Sequence, residues 1–324
     1  MTTTNVGALN VRVDARREEA TDIVSFELVS IDGTPLPSFS AGSHLDVKIG
    51  EGLVRQYSLC NDPSESHRYQ IAVLKDPNSR GGSRAVHERI QVGSQIEISA
   101  PKNHFQLVHE ARRTLLLAGG IGVTPILCMA ERLSMLQASF EMHYCARSPE
   151  RAAFRKRIET SPFASHVKFH FDDGASEQKL NIGSLLAAQD DDVHLYVCGP
   201  KGFMDAVLAG ARAAGWPEKR LHYEFFSAAP VATQDNESFE VQIASSGKIV
   251  VVPKDQTVLQ ALINVGISIP VSCEQGVCGT CLTRVLEGVP DHKDLYLTPD
   301  EQAVNDQFTP CCSRSKSPRL ILDL

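Results

Sequence analysis

The chain of 324 residues contains nothing close to the ~20 consecutive apolar residues that a bilayer-spanning helix needs. Its opening, Met1-Thr2-Thr3-Thr4-Asn5, lacks the basic start and apolar core of a signal peptide. A cytoplasmic location is therefore expected. Basic charge is also scarce. The formal net charge is −7 and no run of Lys or Arg interrupts it, which argues against the concentrated basic surface of a sequence-independent nucleic-acid binder. Nine cysteines are too few and too uneven for a secreted disulfide scaffold. Five of them, Cys273, Cys278, Cys281, Cys311 and Cys312, crowd into the last fifth of the chain, and in a reducing compartment such clustering favours metal over disulfide. No internal repeat is present.

Three segments divide the remainder. Residues 1–108 alternate short apolar runs (Val24–Val29, His44–Ile49, Arg55–Leu59, Tyr69–Leu74, Gln95–Ala100) with Gly, Pro, Asn and Asp, the pattern of an antiparallel sheet or small barrel. Residues 109–227 change rhythm. Strand-like runs at Thr114–Ala118, Glu141–Ala146, Lys168–Phe171 and His194–Cys198 alternate with helical patterns at Thr124–Leu136, Glu150–Ile158, Ile182–Ala187 and Gly202–Ala214. That alternation predicts an α/β domain with a parallel sheet covered on both faces. Residues 228–236 read as a linker. Residues 237–324 offer a hairpin (Phe239–Ala244, Lys248–Val252) turning at Ser245-Ser246-Gly247, a short helix at Val258–Val265, and a capping box with Pro at the first helical position in Thr298-Pro299-Asp300-Glu301.

Cys273-Glu-Gln-Gly-Val-Cys278-Gly-Thr-Cys281 places four residues between its first two cysteines and two between the next pair. This is the plant-type spacing for a 2Fe–2S cluster, completed by one distant thiolate. Three thiolates converging from one loop force a tight wrap with amides aimed at sulfur, and Gly276 and Gly279 are free to adopt the positive φ this demands. The fourth ligand must come from Cys311 or Cys312. A structural zinc site would more usually show two short Cys pairs. The remaining Cys60, Cys128, Cys145 and Cys198 stand singly in apolar surroundings, where buried structural thiols are the default.

Two further motifs are anion-binding in character. Arg80-Gly81-Gly82-Ser83-Arg84 precedes a helical turn at Ala85–Arg89, so backbone amides and a guanidinium can meet one phosphate. Thr114–Ala118 runs into Gly119-Gly120-Ile121-Gly122-Val123-Thr124-Pro125, a strand–glycine turn–helix layout suited to a dinucleotide pyrophosphate. Pro125 replaces the third glycine of the usual fingerprint.

Taken in order with Arg55-Gln56-Tyr57-Ser58, Cys145-Ala146-Arg147-Ser148, Cys198-Gly199-Pro200 and His222-Tyr223-Glu224-Phe225-Phe226, these motifs resemble the ferredoxin reductase superfamily. The order of the segments is similar to the phthalate dioxygenase reductase family, which includes vanillate demethylase reductases. The resemblance implies an FMN-binding β-barrel (1–108), an NAD-binding α/β domain (109–227) and an α+β, β-grasp ferredoxin domain (237–324). It places Tyr57 and Ser58 along the isoalloxazine ring and Arg55, Arg80, Gly82 and Ser83 at the flavin phosphate. Gly120, Gly122, Thr124, Cys198, Gly199 and Pro200 fall to the nicotinamide side, with Phe226 covering the flavin and shifting aside for the nicotinamide. Thr124, Cys198 and Phe226 are the expected catalytic residues.

Arg147 could face a 2′-phosphate, whereas Asp172 and Asp173 could accept from ribose hydroxyls and repel one; family habit favours NADH. Cys311 is favoured as fourth ligand because Cys311-Cys312-Ser313-Arg314 resembles a segment of related reductases in which only the first position is Cys. The implied function is electron transfer from NADH through FMN and the 2Fe–2S cluster to a Rieske non-haem iron oxygenase, with an aromatic-ring dioxygenase as the first reading. An O-demethylase, a carnitine-type or other monooxygenase, and a non-enzymatic redox carrier are the alternatives. A monomer is expected. Residues 236–324 carry 11 acids and 7 bases, a bias suited to a basic patch on that partner.

Overall fold

The computed structural model describes residues 8–50, 53–77, 81–108, 111–187, 192–226 and 237–324. Arg80 and the expected linker at 228–236 lie outside the described residues. The chain divides into two compact units, Met1–Phe226 and Ser227–Leu324.

In the first unit, β1 (Ala8–Ala20), β2 (Ile23–Ser30), β3 (Ser43–Gly50), β4 (Leu53–Ser58), β5 (Tyr69–Leu74), β6 (Gln95–Ser99) and β7 (Lys102–Asn103) form one sheet. Its order is β4-β3-β6-β1-β2-β5, with β7 on β3, and every pairing is antiparallel. A bridge between Leu59 and Ile71 joins the end of β4 to β5, so the two outer strands meet and the sheet curls into a barrel. Inward side chains at alternate positions, among them Val11, Val13, Leu45, Val47 and Ile71, fill it. Helix α1 (Gly82–Arg89) adds Ala85 and Val86 to that core.

Strand β1 was not anticipated. After Val11 and Val13 its pattern dissolves into Arg16-Arg17-Glu18-Glu19, which reads as polar loop. These side chains instead bind across to β2: Arg17 pairs with Glu27, Ser25 Oγ donates to Glu19 Oε1 at 2.6 Å, and Arg16 lies over the Phe26 ring.

The same unit continues with β8 (Arg113–Gly119), α2 (Val123–Met135), β9 (Phe140–Ala146), α3 (Arg155–Glu159), β10 (Val167–Phe171), α4 (Ile182–Ala187), β11 (Val193–Cys198), α5 (Lys201–Ala213) and β12 (Leu221–Glu224). The five strands are all parallel in the order β10-β9-β8-β11-β12. Two apolar clusters cover its faces, one built on α2 with Ile126, Leu127 and Met129, the other on α4 and α5 with Leu186, Met204 and Leu208. Phe105 and Leu107 from the end of the barrel segment belong to the α2 cluster, and Tyr196 Oη accepts from the Val108 amide at 2.7 Å. Arg157 spans the junction, donating to Gln70 Oε1 at 2.8 Å and Glu131 Oε1 at 3.0 Å.

The helix expected over Glu150–Ile158 is broken. A 3-10 turn at Pro149–Arg151 precedes Phe154, whose φ of 59° is left-handed, and α3 begins only at Arg155. The break buries Ala152, Ala153 and Phe154 together, which a continuous helix would distribute around its circumference. The last expected strand, His222–Phe226, also stops short. Strand β12 ends at Glu224, and Phe225 and Phe226 lie beyond it.

The second unit holds β13 (Phe239–Ile243), β14 (Ile249–Val252), α6 (Val258–Asn264), β15 (Thr283–Glu287), β16 (Pro290–Asp291), α7 (Pro299–Val304), β17 (Gln307–Phe308), β18 (Arg314–Ser315) and β19 (Arg319–Leu322). The sheet order is β14-β13-β19-β15-β17, with the central pair β13–β19 parallel and α6 packed on it through Val258, Leu259 and Leu262. The hairpin turns at Gly247, φ 69°. Both short helices carry full capping boxes, Thr257 with Gln260 and Thr298 with Glu301. Among the described residues no helix is long and apolar enough to cross a membrane.

Candidate functional site

Along β4, register places Arg55, Tyr57 and Ser58 opposite Val47, Leu45 and His44. The Arg55 side chain folds over the start of α1: a Cβ on Gly82 would stand 2.7 Å from Arg55 Nε. Gly81, left-handed at φ 94°, turns the chain into that helix, and no side chain caps it. The first-turn amides, Ser83 and the Arg55 guanidinium therefore converge as an anion cradle. Ser83 Oγ accepts from the Asp76 amide at 3.2 Å, which fixes the entry to the turn. Tyr57 is packed so that burial pushes its phenol well up, leaving a neutral ring face.

The glycine turn after β8 is fixed by backbone proximity. Gly120–Gly122 form a 3-10 turn, and a Cβ on Gly122 would meet Cys198 O at 2.3 Å and Gly199 N at 2.6 Å. The ends of β8 and β11 thus touch main chain to main chain. Cβ atoms on Gly119 or Gly199 would strike Phe203 at 2.8 Å, and one on Gly119 would also lie 2.9 Å from Pro200 Cδ. Thr124, buried at the start of α2, donates its hydroxyl to Ile121 O at 3.1 Å. Pro125 is the third residue of α2, where no intrahelical N–H bond is forfeited. The crevice beyond these strand ends is where open α/β sheets take nucleotides.

One group in this crevice was missed from sequence. Ser58 Oγ lies 3.4 Å from Glu224 Oε2, so the end of β4 meets the end of β12 through a carboxyl. Burial pushes Glu224 up to about 7, with the Ser58 bond opposing it. Burial, with the adjacent Glu224, pushes the Cys198 thiol well up, so Cys198 is a neutral thiol. Ser58, Cys198 and Glu224 form one cluster, and Phe226 follows two residues later, 37% exposed. A lone acid inside an otherwise apolar closing strand was the available signal. At the ends of β9 and β10, Arg147 O accepts from the Asp173 amide at 3.2 Å and Ala146 O from the Asp172 amide at 3.1 Å. Arg147, Asp172 and Asp173 therefore share one exposed rim.

In the second unit the four expected sulfur ligands are gathered. Thiol hydrogen bonds link Cys273 to Cys278 and to Cys311, and Cys281 to Cys311. Bonds from Cys278 and Cys311 pull the Cys273 thiol far down, and the Cys311 bond lowers Cys281, while the shared protons push Cys278 and Cys311 up. The Gln275 amide donates to Cys273 Sγ at 3.3 Å. Gly276 and Gly279 take φ of 71° and 68°, and a Cβ on Gly279 would lie 2.2 Å from the Tyr296 ring. No group of three or more His, Cys, Asp or Glu among the described residues is arranged around one metal ion; a 2Fe–2S cluster asks instead for four thiolates over two irons. Clustered thiols sharing protons, three of them buried, with an amide aimed at Cys273 sulfur, fit that group, since iron replaces the protons.

A family model for 2Fe–2S iron–sulfur cluster binding domains matches residues 241–316, and one for oxidoreductase NAD-binding domains matches 116–209. Vanillate O-demethylase oxidoreductase of Pseudomonas sp. (strain HR199 / DSM 7063) is 56% identical over 98% of this chain and 100% of its own. That of Pseudomonas putida is 59% identical over 96% and 98%. The structure of phthalate dioxygenase reductase matches 100% of both chains with a TM-score of 0.79 at 38% identity. The chain belongs to the phthalate dioxygenase reductase family. As a member it is an NADH-dependent oxidoreductase with FMN and a 2Fe–2S cluster as cofactors. The barrel, parallel sheet and C-terminal ferredoxin fold are those expected from the sequence.

Proposed function

We propose that this chain is the reductase of a two-component oxygenase whose terminal component is a Rieske non-haem iron protein, and that the reaction served is O-demethylation of an aromatic methyl ether. The observation that carries the reading is end-to-end identity of 56% and 59% with vanillate O-demethylase oxidoreductases, against 38% with phthalate dioxygenase reductase. A ring dioxygenase, the first reading from sequence, thus becomes the second. A cytoplasmic monomer divided at 1–108, 109–227 and 237–324 is the matching working picture.

When bound, FMN would supply the exchange between two-electron transfer with NADH and one-electron transfer with the 2Fe–2S cluster. The chain's own residues supply orientation. Arg55, the α1 amides at Gly82 and Ser83, and Arg80 grip the FMN phosphate, while Tyr57 and Ser58 line its ring. Gly120 and Gly122 admit the dinucleotide backbone to the turn, and Thr124, Cys198, Gly199 and Pro200 hold the nicotinamide. Asp172 and Asp173 accept from the adenosine ribose hydroxyls and oppose a 2′-phosphate, so NADH is preferred over NADPH with Arg147 alongside. Phe226 covers the flavin until nicotinamide displaces it. Cys273, Cys278, Cys281 and Cys311 bind the irons.

The test is reconstitution with purified Rieske oxygenases. The expected result is NADH oxidation coupled to formaldehyde release with a vanillate-demethylating partner. Coupling only to a phthalate-type dioxygenase would refute the O-demethylase reading, and coupling to no Rieske protein would refute the partner class.

A further inference from the structure

The segment that follows β10 carries Asp172 and Asp173, and one histidine ties down its far end. His170 Nδ1 lies 2.8 Å from Gln178 O, across eight positions of sequence, so the segment between them is drawn into a closed loop. A 3-10 turn at Ser176–Gln178 presents that carbonyl. The Gln178 side chain folds back over Gly174, where an added Cβ would lie 2.2 Å from Gln178 Oε1. At the near end the Asp172 and Asp173 amides are held by Ala146 O and Arg147 O.

His170 is itself held from behind. Its Nε2 lies 2.8 Å from His143 Nδ1, with the ring planes 14° apart, and His143 Nε2 lies 3.1 Å from Glu141 Oε1. The same carboxylate meets Lys168 Nζ and Arg113 Nη2, each at 2.8 Å. Burial raises the Glu141 carboxyl, but the Lys168 bond and the surrounding positive charge hold it below its usual range. A line of contacts therefore runs from an ionised carboxylate through two imidazoles to a backbone carbonyl. Both ends of that line only accept. Its three contacts need three hydrogens, and two neutral imidazoles own two. Burial pushes His143 down to about 4 and lowers His170 as well, so near neutral pH the third hydrogen is missing. Glu141 and Gln178 O thus compete for the two. If His143 donates to Glu141, His170 donates to His143 and turns a lone pair toward Gln178 O. If His143 donates to His170, the Gln178 contact closes.

We propose that His170 is a positioning residue for nucleotide choice: its Nδ1–H latches the loop that presents Asp172 and Asp173, and His143 sets the tautomer that makes the latch. The proposal rests on those two carboxylates facing the adenosine ribose. A loosened loop withdraws them from ribose hydroxyls and from a 2′-phosphate alike, so NADH binds less well and NADPH is rejected less. Hydride transfer takes place at the other end of the dinucleotide and is left unchanged. The effect of His170 runs through the loop and not through the reacting atoms.

The test is steady-state ferricyanide reduction by the FMN-loaded full chain with NADH and with NADPH, read as the ratio of the two kcat/KM values. His170→Phe keeps a ring and removes the donor. It should raise the NADH KM at unchanged kcat and cut the ratio about three- to tenfold, as loss of one hydrogen bond does. His170→Asn, whose amide can stand where Nδ1 stands, should restore most of the ratio. Glu141→Gln can donate to His143 Nε2 and so leaves both imidazole hydrogens to the latch. It should raise the ratio about threefold, and it carries the test should His170→Phe fail to fold. A folded His170→Phe with the wild-type ratio overturns the proposal, as does a His170→Asn no better than His170→Phe, or an unchanged ratio in Glu141→Gln if that variant must stand in. The Asp172→Asn, Asp173→Asn double variant keeps the two readings apart. Unchanged NADPH use there removes the carboxylates from the ribose and takes the proposal with it. Improved NADPH use there, beside a wild-type ratio in His170→Phe, sinks the latch alone.

Discussion

Two glycines of the nicotinamide turn are required for different physical reasons, and alanine at each separates them. Gly122 has φ −61°, an angle any residue adopts, so its backbone tolerates alanine. Space does not: the added Cβ would fall 2.3 Å from Cys198 O and 2.4 Å from Cys198 C. These are main-chain atoms of a central strand and cannot swing away. Relief requires β8 and β11 to part at the nucleotide crevice by about 1 Å, and overpacking of this kind costs about 1–3 kcal/mol.

Gly120 is the converse. Its φ is 53°, yet nothing stands within 4 Å of an added Cβ, so alanine there meets only the left-handed penalty of about 1–2 kcal/mol. Stability alone will not distinguish the pair, but NADH binding will. Gly122→Ala should raise the NADH Kd by about 5- to 150-fold, because the strain is relieved by opening the binding turn and each 1.4 kcal/mol is tenfold. Gly120→Ala should raise Kd by less than Gly122→Ala does while lowering the urea midpoint. Stopped-flow NADH binding and urea denaturation are the assays. Equal Kd effects, or a larger one at Gly120, would refute the main-chain packing argument.

Cys273→Ser should abolish the 2Fe–2S absorbance yet leave NADH–ferricyanide turnover within about twofold, since that activity needs only the first unit; loss of both activities would contradict this division. For Glu224, burial holds the folded pKa near 7, above the usual carboxylate value. The folded state then binds the extra proton, so the contribution of Glu224 to stability is full below about pH 4.5 and is lost as pH rises through 7. Glu224→Gln should flatten that decline in urea midpoints measured from pH 5 to 8. Asp172→Asn with Asp173→Asn should raise kcat/KM for NADPH about tenfold with little change for NADH, and an unchanged NADPH value would remove these carboxylates from the ribose site.

The order of elements was legible because hydrophobic periodicity is local. Strand Tyr69–Leu74 and helix Ile182–Ala187 coincide with the observed bounds, and the Thr298 capping box marks the true start of α7. Elements that depend on distant partners were not legible. β1 keeps its charged half in the sheet only because Glu27 and Ser25 of β2 receive it. The two-residue strands at Lys102–Asn103, Pro290–Asp291 and Gln307–Phe308 are too short for any period to register.

The redox sites divide along the same line. Motifs whose chemistry lies in one loop announced themselves: three cysteines at fixed spacing, or glycines before a helix. What the motifs could not carry is contact between loops far apart in sequence. Ser58 and Glu224 are separated by 166 positions and meet at 3.4 Å, and neither neighbourhood signals the other. Cys311 and Cys312 pose the same problem at the shortest possible range, since composition gives no preference between adjacent thiols. Their surroundings supply one: Cys311 touches Cys273 and Cys281, while Cys312 touches Thr309 and Ser313. Contact with two of the three loop cysteines suits the proposed fourth ligand, since the four sulfurs must converge on one cluster. The proposed choice between them therefore lies in which residues each sulfur faces, and these are set by the fold of the Thr309–Ser313 turn against the 273–281 loop.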